Sequence, residues 1–199
     1  MNDSNNIMNN SNNIMKDIKK ILYNQVPLQI LSFLSNYHGT VFSANEIASK
    51  TKSSKGSTNQ ILRFLSNLDI LFREKKGNLF LYKLNAESFV LKQFKIFENL
   101  LELQKLVKNL KEYCYKIVIY GSRANGTDNW ESDIDLFVIT EYKKEVRKII
   151  SKYETIARKV QVVLQDPLEI SSSKKEDSVF YQQVNKGITL WEGKPTYEG

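Results

Sequence analysis

The chain has 199 residues, of which 41% are hydrophobic and 26% charged, and its 29 basic and 22 acidic side chains give a formal net charge of +7. That length suits one medium domain or two small ones, and each can bury a core. One cysteine, Cys114, and one histidine, His38, exclude a disulfide framework, a cysteine-based or histidine-rich metal site, and any Ser-His-Asp triad without His38. The sequence shows neither a membrane-length apolar run nor a secretory signal, so we expect a cytoplasmic protein with no membrane partner.

The positive charge is concentrated in the front of the chain. Residues 1–85 contain 11 basic and 5 acidic residues, whereas residues 114–199 contain 13 of each. This asymmetry indicates two modules with different partners. A basic front module could bind a polyanion such as double-stranded DNA, and the alternative is an ordinary solvated surface. Charge alone favours the solvated surface.

Two short helices are predicted early in the front module. The apolar residues that follow Pro27 predict the first helix, and Gly39 ends it. Ser43 and Glu46 stand three residues apart in a capping-box pattern, in which each side chain bonds the backbone of the other residue. The pattern predicts a second helix over about 43–51.

A third helix and a hairpin follow. Residues 57–60 (Ser-Thr-Asn-Gln) form a second capping-box pattern, and the apolar spacing after them predicts an amphipathic helix over about 57–68. Two β-rich runs flank the Lys-Lys-Gly sequence at 75–77 and predict a hairpin with its turn there. Helix, short helix, turn, helix and hairpin is the order of a winged helix-turn-helix domain, which we place at 16–85.

A long helix is predicted between the two modules, at 86–113. This segment lacks glycine and proline, and its apolar residues recur at a heptad-like spacing. The main stripe consists of Phe89, Ile96, Leu100, Leu103, Val107 and Leu110. A second apolar stripe is more than one surface helix needs, so this connecting helix packs either within the chain or against a second copy in a homodimer.

The last third of the chain alternates between strands and helices. Apolar runs predict strands at 116–120, 133–139, 159–164 and 188–191, and amphipathic spacing predicts helices at 143–158 and 176–186. We expect a small domain over residues 114–199 in which a sheet is flanked by helices.

The segment that joins the first two of these strands carries the chemistry. Gly121 permits close backbone approach, and Ser122 supplies a hydroxyl and an amide that can hold phosphate oxygens. Asp133 and Asp135 lie two residues apart on a strand, so their carboxylates share one face. Paired carboxylates repel unless a cation such as Mg²⁺ lies between them, and Mg²⁺ commonly shares its ligands with substrate phosphates. The combination predicts metal-assisted attack on a nucleotide phosphate.

This stretch resembles the signature of the minimal nucleotidyltransferases of the DNA polymerase β-like superfamily, whose pattern is Gly-Ser-x-Ala-Arg-Gly and, after about five residues, Ser-Asp-x-Asp-Leu. The chain reads Gly-Ser-Arg-Ala-Asn-Gly at 121–126 and Ser-Asp-Ile-Asp-Leu at 132–136. The resemblance implies that ATP or another NTP is the substrate and that Asp133 and Asp135 bind Mg²⁺. The nucleotide-binding residues that it implies are Gly121, Ser122, Arg123 and Ser132.

Two departures from the family pattern bear on activity. Asn125 stands where the family commonly has arginine, which removes one cationic phosphate contact. Gln161 stands where the family usually has a third carboxylate, and a neutral amide cannot act as general base for an attacking hydroxyl. The departures leave the fold assignment unchanged, and they make a nucleotide-binding or inert relative the alternative to an active transferase.

The front module resembles the winged helix-turn-helix domains of bacterial and archaeal regulators. In such domains the second helix of the motif enters the major groove and the hairpin contacts phosphates. The resemblance implies DNA contacts by Lys55, Ser57, Thr58, Asn59, Gln60, Arg63, Lys75 and Lys76. A winged helix used as a protein-binding scaffold is the alternative.

The predicted fold class is therefore α+β, with a winged helix, a long connecting helix and a nucleotidyltransferase domain with a small mixed sheet. The predicted divisions are a disordered tail (1–15), the winged helix (16–85), the connecting helix (86–113) and the nucleotidyltransferase domain (114–199). The predicted function is Mg²⁺-dependent transfer of a nucleotide, AMP from ATP, to an unknown hydroxyl acceptor. The alternative is a DNA-binding regulator whose inactive rear domain senses nucleotide or mediates dimerisation. A separately encoded protein partner stays open.

Overall fold

The computed structural model describes residues 24–37, 39–154, 158–168 and 178–197. The chain divides into two compact units, which we call unit 1 (residues 1–88) and unit 2 (residues 89–199). The predicted disordered tail at 1–15 and His38 lie outside the described residues. Across the described part of the chain, no helix is long and apolar enough to cross a membrane.

In its described residues, unit 1 contains three helices and a three-stranded antiparallel sheet in the strand order β1-β3-β2. Its apolar core includes Ile30, Leu34, Ile47, Leu62 and Leu65, which lie on all three helices and are buried almost completely. The elements match the predicted order, with the added strand β1. They are α1 (Gln25–Ser35), β1 (Val41–Ser43), α2 (Ala44–Lys50), α3 (Lys55–Asn67), β2 (Leu71–Lys76) and β3 (Leu79–Leu84).

The two predicted capping boxes had different outcomes. At α2 the box is formed: the Glu46 amide donates to Ser43 Oγ (3.3 Å) and the Ser43 amide donates to Glu46 Oε2 (2.7 Å). At α3 the predicted start at Ser57 is wrong, because the helix begins at Lys55 and Ser54 is its N-cap. The Ser54 hydroxyl accepts from the Ser57 amide at 3.2 Å, so an earlier serine supplies the same bond.

The hairpin turn is tighter than predicted. Lys75 and Lys76 lie in β2 and pair with Phe80 and Leu79 of β3, so only Gly77 and the following residue form the turn. Gly77 has φ +61°, the left-handed conformation that a two-residue hairpin turn requires.

Unit 2 contains a four-stranded mixed sheet in the order β6-β5-β4-β7. The central strand β4 is antiparallel to β5 and β7, whereas β5 and β6 are parallel. The predicted α+β class with a small mixed sheet is therefore confirmed. The elements are α4 (Phe89–Leu110), β4 (Lys116–Tyr120), α5 (Gly121–Asn125), β5 (Ile134–Ile139), α6 (Lys143–Glu154), β6 (Val160–Gln165), α7 (Ser178–Asn185) and β7 (Ile188–Glu192).

Helix α4, predicted as a connector, lies entirely in unit 2 and packs in its core. Leu103, Leu106 and Leu110 in its second half are almost fully buried in a cluster with residues of the sheet and of α6. Phe89, the first residue of the predicted main stripe, is 78% exposed in this chain. The buried face of the first half includes polar residues, which lead to the candidate site.

Candidate functional site

Gly121 brings the end of β4 against the Asp pair. Tyr120, the last residue of β4, pairs with Asp135 of β5. Gly121 follows with φ +72°, and a Cβ atom there would lie 2.5 Å from Asp135 Oδ2. Only glycine therefore allows both this backbone conformation and this approach of the carboxylate. The predicted phosphate turn, Gly121 and Ser122, consequently lies beside one of the predicted metal ligands.

Asp133 and Asp135 flank the start of β5, and both are half-buried. Burial raises the pKa of Asp135 above its ordinary value, the negative charge of Asp133 raises it further, and the Arg123 guanidinium opposes the shift. A cation between the two carboxylates would offset the negative charge that Asp133 presents to Asp135. The electrostatics therefore agree with a cation at this pair.

Gln161 lies next to the Asp pair, on β6. It pairs with Asp135 in the parallel register of β5 and β6, and its side-chain Nε2 donates to Asp133 Oδ2 at 2.8 Å. Lys159 contributes a positive charge, with Nζ 3.8 Å from the same oxygen. The neutral amide thus lies beside both carboxylates, where a third carboxylate was expected from the family pattern.

The donor set at this site fits a hard cation with few protein ligands. Among the described residues, no group of three or more His, Cys, Asp or Glu side chains could hold a metal ion. Asp133 and Asp135 supply carboxylate oxygens, which Mg²⁺ prefers, and Mg²⁺ characteristically takes its remaining ligands from water and substrate phosphates. Two carboxylates beside a candidate phosphate turn match that requirement.

Arg123, predicted to bind nucleotide, is buried, and its side chain is 1% exposed. Its Nε and Nη2 donate to the Ser132 carbonyl oxygen at 3.3 and 3.2 Å, and its Nη1 donates to Asn99 Oδ1 at 2.9 Å and Glu102 Oε2 at 3.1 Å. All three guanidinium nitrogens therefore bond within the protein. The prediction of a nucleotide contact is corrected to an internal contact that ties α5 to α4 and to the segment before β5.

The segment before β5 is braced by its own hydrogen bonds. Ser132, also predicted to bind nucleotide, donates its hydroxyl to Asn129 Oδ1 at 3.1 Å and accepts from the Asn129 amide at 2.9 Å. The Glu131 amide donates to Asn129 Oδ1 at 2.9 Å. Arg158 Nη1 donates to the carbonyl oxygen of Trp130, whose side chain is 58% exposed. These bonds fix the approach to Asp133.

A buried polar cluster under the site was not predicted. Lys95 and Asn99 of α4 are 3% and 6% exposed, and Asp128 is 6% exposed. Lys95 Nζ lies 3.6 Å from Asp128 Oδ1, and Asn99 Nδ2 donates to Asp128 Oδ1 and to the Arg123 carbonyl oxygen, both at 3.1 Å. Burial lowers the pKa of Lys95, and Asp128 opposes that shift. In the sequence, the only trace of this cluster is that Lys95 and Asn99 continue a four-residue spacing between Leu91 and Leu103, which are also buried.

The predicted DNA contacts of unit 1 are divided by their exposure. The buried residue is Thr58, at 0% exposure, with Oγ1 bonded to the Ser54 carbonyl oxygen at 2.9 Å, so its predicted base contact is wrong. Ser57 and Asn59 are half-buried, and the Asn59 side chain donates to the Lys55 carbonyl oxygen. The exposed candidates are Lys55, Gln60, Arg63, Lys75 and Lys76.

A match to a known protein family falls within unit 2. Residues 101–196 match the family described as Polymerase beta, Nucleotidyltransferase. The matched range covers the Gly-Ser turn, the Asp pair, Gln161 and the second half of α4. No curated protein matches the chain.

Three solved structures are similar to parts of the chain. The antimony-specific transcriptional repressor AntR is 20% identical, with 46% of this chain and 80% of AntR covered and a TM-score of 0.39. Reduced HlyU from Vibrio cholerae N16961 is 23% identical, with 50% and 94% covered and a TM-score of 0.33. A protein from Sulfolobus solfataricus described as a nucleotidyltransferase is 16% identical, with 54% and 93% covered and a TM-score of 0.36.

Proposed function

We propose that this chain, whose residues 101–196 form a nucleotidyltransferase domain of the polymerase β type, binds an NTP with Mg²⁺ and transfers a nucleotide, AMP from ATP, to a hydroxyl acceptor. The observation that carries the proposal is the position of Gly121, the first residue of the Gly-Ser turn, directly against Asp135, which lies two residues after Asp133. A triphosphate held at the turn would present its phosphates to the two carboxylates.

In the proposed reaction, the Gly-Ser turn and the Asp pair have different roles. The Gly121–Ser122 turn binds phosphate oxygens, and Asp133 and Asp135 hold Mg²⁺, which neutralises phosphate charge when bound. The acceptor oxygen forms a bond to the α-phosphorus, the bond from that phosphorus to the bridging oxygen breaks, and pyrophosphate leaves. The proton of the acceptor hydroxyl passes to water, because Gln161 cannot accept it. Lys159, beside Asp133, adds positive charge near the reacting phosphates.

A second candidate function is a nucleotide sensor without transferase activity. The hydrogen bond from Gln161 to Asp133 favours it, because an amide occupies the position beside both carboxylates and supplies no base. Such a unit would bind an NTP with Mg²⁺ and retain it unreacted. In that case the protein would be a DNA-binding regulator whose rear domain reports on nucleotide.

DNA binding by unit 1 is proposed in both cases. Helix α3 presents Lys55, Gln60 and Arg63 to solvent, and Lys75 and Lys76 are exposed near the tip of the hairpin. Basic side chains on a helix and a hairpin can bind phosphates and reach base edges in the major groove. A cytoplasmic location, a homodimer and a protein partner stay predictions.

The test of the site is calorimetric titration of ATP and the other NTPs into the full chain, with and without Mg²⁺. We expect Mg²⁺-dependent binding that the Asp133→Asn, Asp135→Asn double variant abolishes. Asp166→Asn is the control, because its carboxylate pairs with Lys143 and lies outside the site. No binding of any NTP at millimolar concentration would refute both candidate functions of unit 2.

Labelled ATP distinguishes the two candidates once binding is established. ATP that carries its label on the α-phosphate is incubated with the protein and with pools of protein and RNA acceptors, and released pyrophosphate is measured. Labelled acceptor together with pyrophosphate, both absent in the double variant, supports transfer. Tight Mg²⁺–ATP binding that yields neither product supports the sensor.

A further inference from the structure

Two arginines hold the backbone that leads into Asp133. Arg123 donates from Nε and Nη2 to the Ser132 carbonyl oxygen, and Arg158 donates from Nη1 to the Trp130 carbonyl oxygen. Ser132 is the residue directly before Asp133. Segment 129–133 is therefore hydrogen-bonded on two sides, by Arg123 of α5 and by Arg158, which lies two residues before β6.

Both arginines meet the same carboxylate. Glu102 Oε2 lies 3.1 Å from Arg123 Nη1, and Glu102 Oε1 lies 3.5 Å from Arg158 Nε. Each oxygen of Glu102 thus serves one arginine. Glu102 is on α4 next to Leu103, which is 1% exposed in the core, so the carboxylate is attached to a firmly packed helix.

We propose that Glu102 is a positioning residue for the Mg²⁺ site: it holds Arg123 and Arg158, which in turn fix segment 129–133 and the carboxylate of Asp133. The proposal rests on the proposed function, because it assigns Asp133 to Mg²⁺.

The charges explain why a carboxylate is needed at this point. Arg123 and Arg158 bind carbonyl oxygens two residues apart, so two positive groups converge on one short segment. Arg123 is buried, and a buried positive charge without a partner is costly. Glu102 compensates both charges at once. Residues that orient metal ligands in this way typically change metal affinity about 10- to 100-fold when they are replaced.

The test compares Glu102→Gln with Glu192→Gln in the full chain. Glu192 is a matched control, because it ion-pairs with Lys116 at 3.0 Å at the opposite end of β4. The first readout is the Mg²⁺ concentration that gives half-maximal ATP binding by calorimetry. We expect Glu102→Gln to raise it about tenfold and Glu192→Gln to leave it unchanged. Equal Mg²⁺ dependence in the two variants would overturn the proposal.

The second readout needs no nucleotide, so it separates failure of this proposal from failure of the proposed function. Hydrogen exchange is measured at the amides of Asn129, Glu131 and Ser132, which are bonded within the segment. We expect Glu102→Gln to accelerate exchange at these amides more than in strand β4. Uniform acceleration across unit 2, or none, would mean that Glu102 only contributes to general stability and would overturn the proposal.

Arg123→Lys and Glu102→Asp keep the test informative if Glu102→Gln fails to fold. Arg123→Lys retains the buried charge and loses the planar fork that binds Ser132 and Glu102 together. We expect it to raise the Mg²⁺ requirement as Glu102→Gln does. Glu102→Asp retains the charge, so we expect a smaller increase than for Arg123→Lys. The reverse order would contradict the proposal.

Discussion

At the scale of single residues, the approach of Asp135 to Gly121 constrains the site. Two constraints require glycine at position 121. The backbone there is left-handed, with φ +72°, and a Cβ atom would lie only 2.5 Å from Asp135 Oδ2. A side chain there must either strain the backbone or push the carboxylate away. The second effect reaches the chemistry, because Asp135 is a proposed Mg²⁺ ligand.

Gly121→Ala is therefore expected to weaken Mg²⁺–ATP binding at least tenfold, in addition to a backbone cost of about 1 kcal/mol. Gly77→Ala is the matched control: Gly77 is also left-handed, at φ +61°, but a Cβ there would meet no atom within 4 Å. Calorimetry gives the binding constant and thermal unfolding gives the stability. We expect both variants to lose a similar amount of stability and only Gly121→Ala to lose Mg²⁺–ATP binding. Intact binding in Gly121→Ala would contradict the prediction.

Gln161 provides a gain-of-function experiment. Its backbone is in register with Asp135 and its side chain already reaches Asp133, so Gln161→Asp places a third carboxylate at the same edge of the site. We expect tighter Mg²⁺ binding and faster release of pyrophosphate, because a carboxylate can bind the cation and accept the acceptor's proton. Gln161→Asn, which keeps the amide, is the control. Equal rates for the two variants would show that this position does not limit the reaction.

The sequence predicted that the Gly-Ser turn and the two carboxylates form one site, and the structure places Gly121 against Asp135. That prediction was possible because it depends on residue type and close spacing. The sequence did not reveal that Arg123 points inward. Position in a motif does not specify which way a side chain turns on a short helix, and the partners of Arg123 lie 9 to 24 residues away. Thr58 was misjudged for the same reason, because helix α3 begins two residues earlier and carries that side chain into the interior.

At the scale of elements, α4 shows where periodicity succeeds and where it fails. The predicted burial of Leu103 and Leu110 is correct, because apolar burial decides the orientation of the second half of the helix. In the first half the buried positions include Lys95 and Asn99, which apolar spacing could not select. Their burial depends on Asp128 and Arg123, partners that no local pattern connects to the helix.

The link between α4 and β4 contains a buried thiol that reports on unfolding. Cys114 is 0% exposed, and burial raises its pKa to about 12. A thiol whose pKa is higher in the folded state loses its proton at a lower pH in the unfolded chain. Cys114 therefore lowers the stability of the fold as the pH rises above the thiol's pKa in the unfolded chain, about 8.5. We expect no reaction with a thiol reagent at pH 8 until denaturant unfolds unit 2.

The pH dependence has its own control in Cys114→Ala. Between about pH 9 and pH 11, the free energy of unfolding of the wild type should fall more steeply than that of the variant, by up to about 1.4 kcal/mol per pH unit. Chemical denaturation at each pH measures this difference, in which the titrations of lysine and tyrosine cancel. Parallel curves, or rapid thiol labelling of the native protein, would show that Cys114 is accessible.

At the scale of the whole molecule, the chain forms two compact units, and each contains a different candidate site. The predicted groove-facing residues lie in unit 1, whereas the Asp pair and the arginines that brace it lie in unit 2. The excess of positive charge lies in residues 1–85, which carry 11 basic and 5 acidic residues. Substitutions in one candidate site therefore leave the residues of the other unchanged, so the two proposed activities can be tested with separate variants.

DNA binding by the full chain should depend steeply on salt, because bound basic side chains displace counterions from the phosphates. Arg63→Ala, on the exposed part of α3, is expected to weaken binding by about 1–3 kcal/mol, the range of a specific base contact. Lys76→Ala, on the hairpin, should reduce the slope of log affinity against log salt by about one, as expected for the loss of one phosphate contact.

Lys144→Ala removes the same charge from an exposed position on α6 in unit 2, so it serves as the charge-matched control and is expected to leave the DNA affinity unchanged. Fluorescence anisotropy over a salt series measures all three variants, and calorimetry with Mg²⁺–ATP verifies that the nucleotide site is intact in each. Equal weakening by Arg63→Ala and Lys144→Ala would mean that DNA responds only to net charge. In that case α3 would not be the element that reads the groove, and the charge of the whole chain would account for the DNA binding.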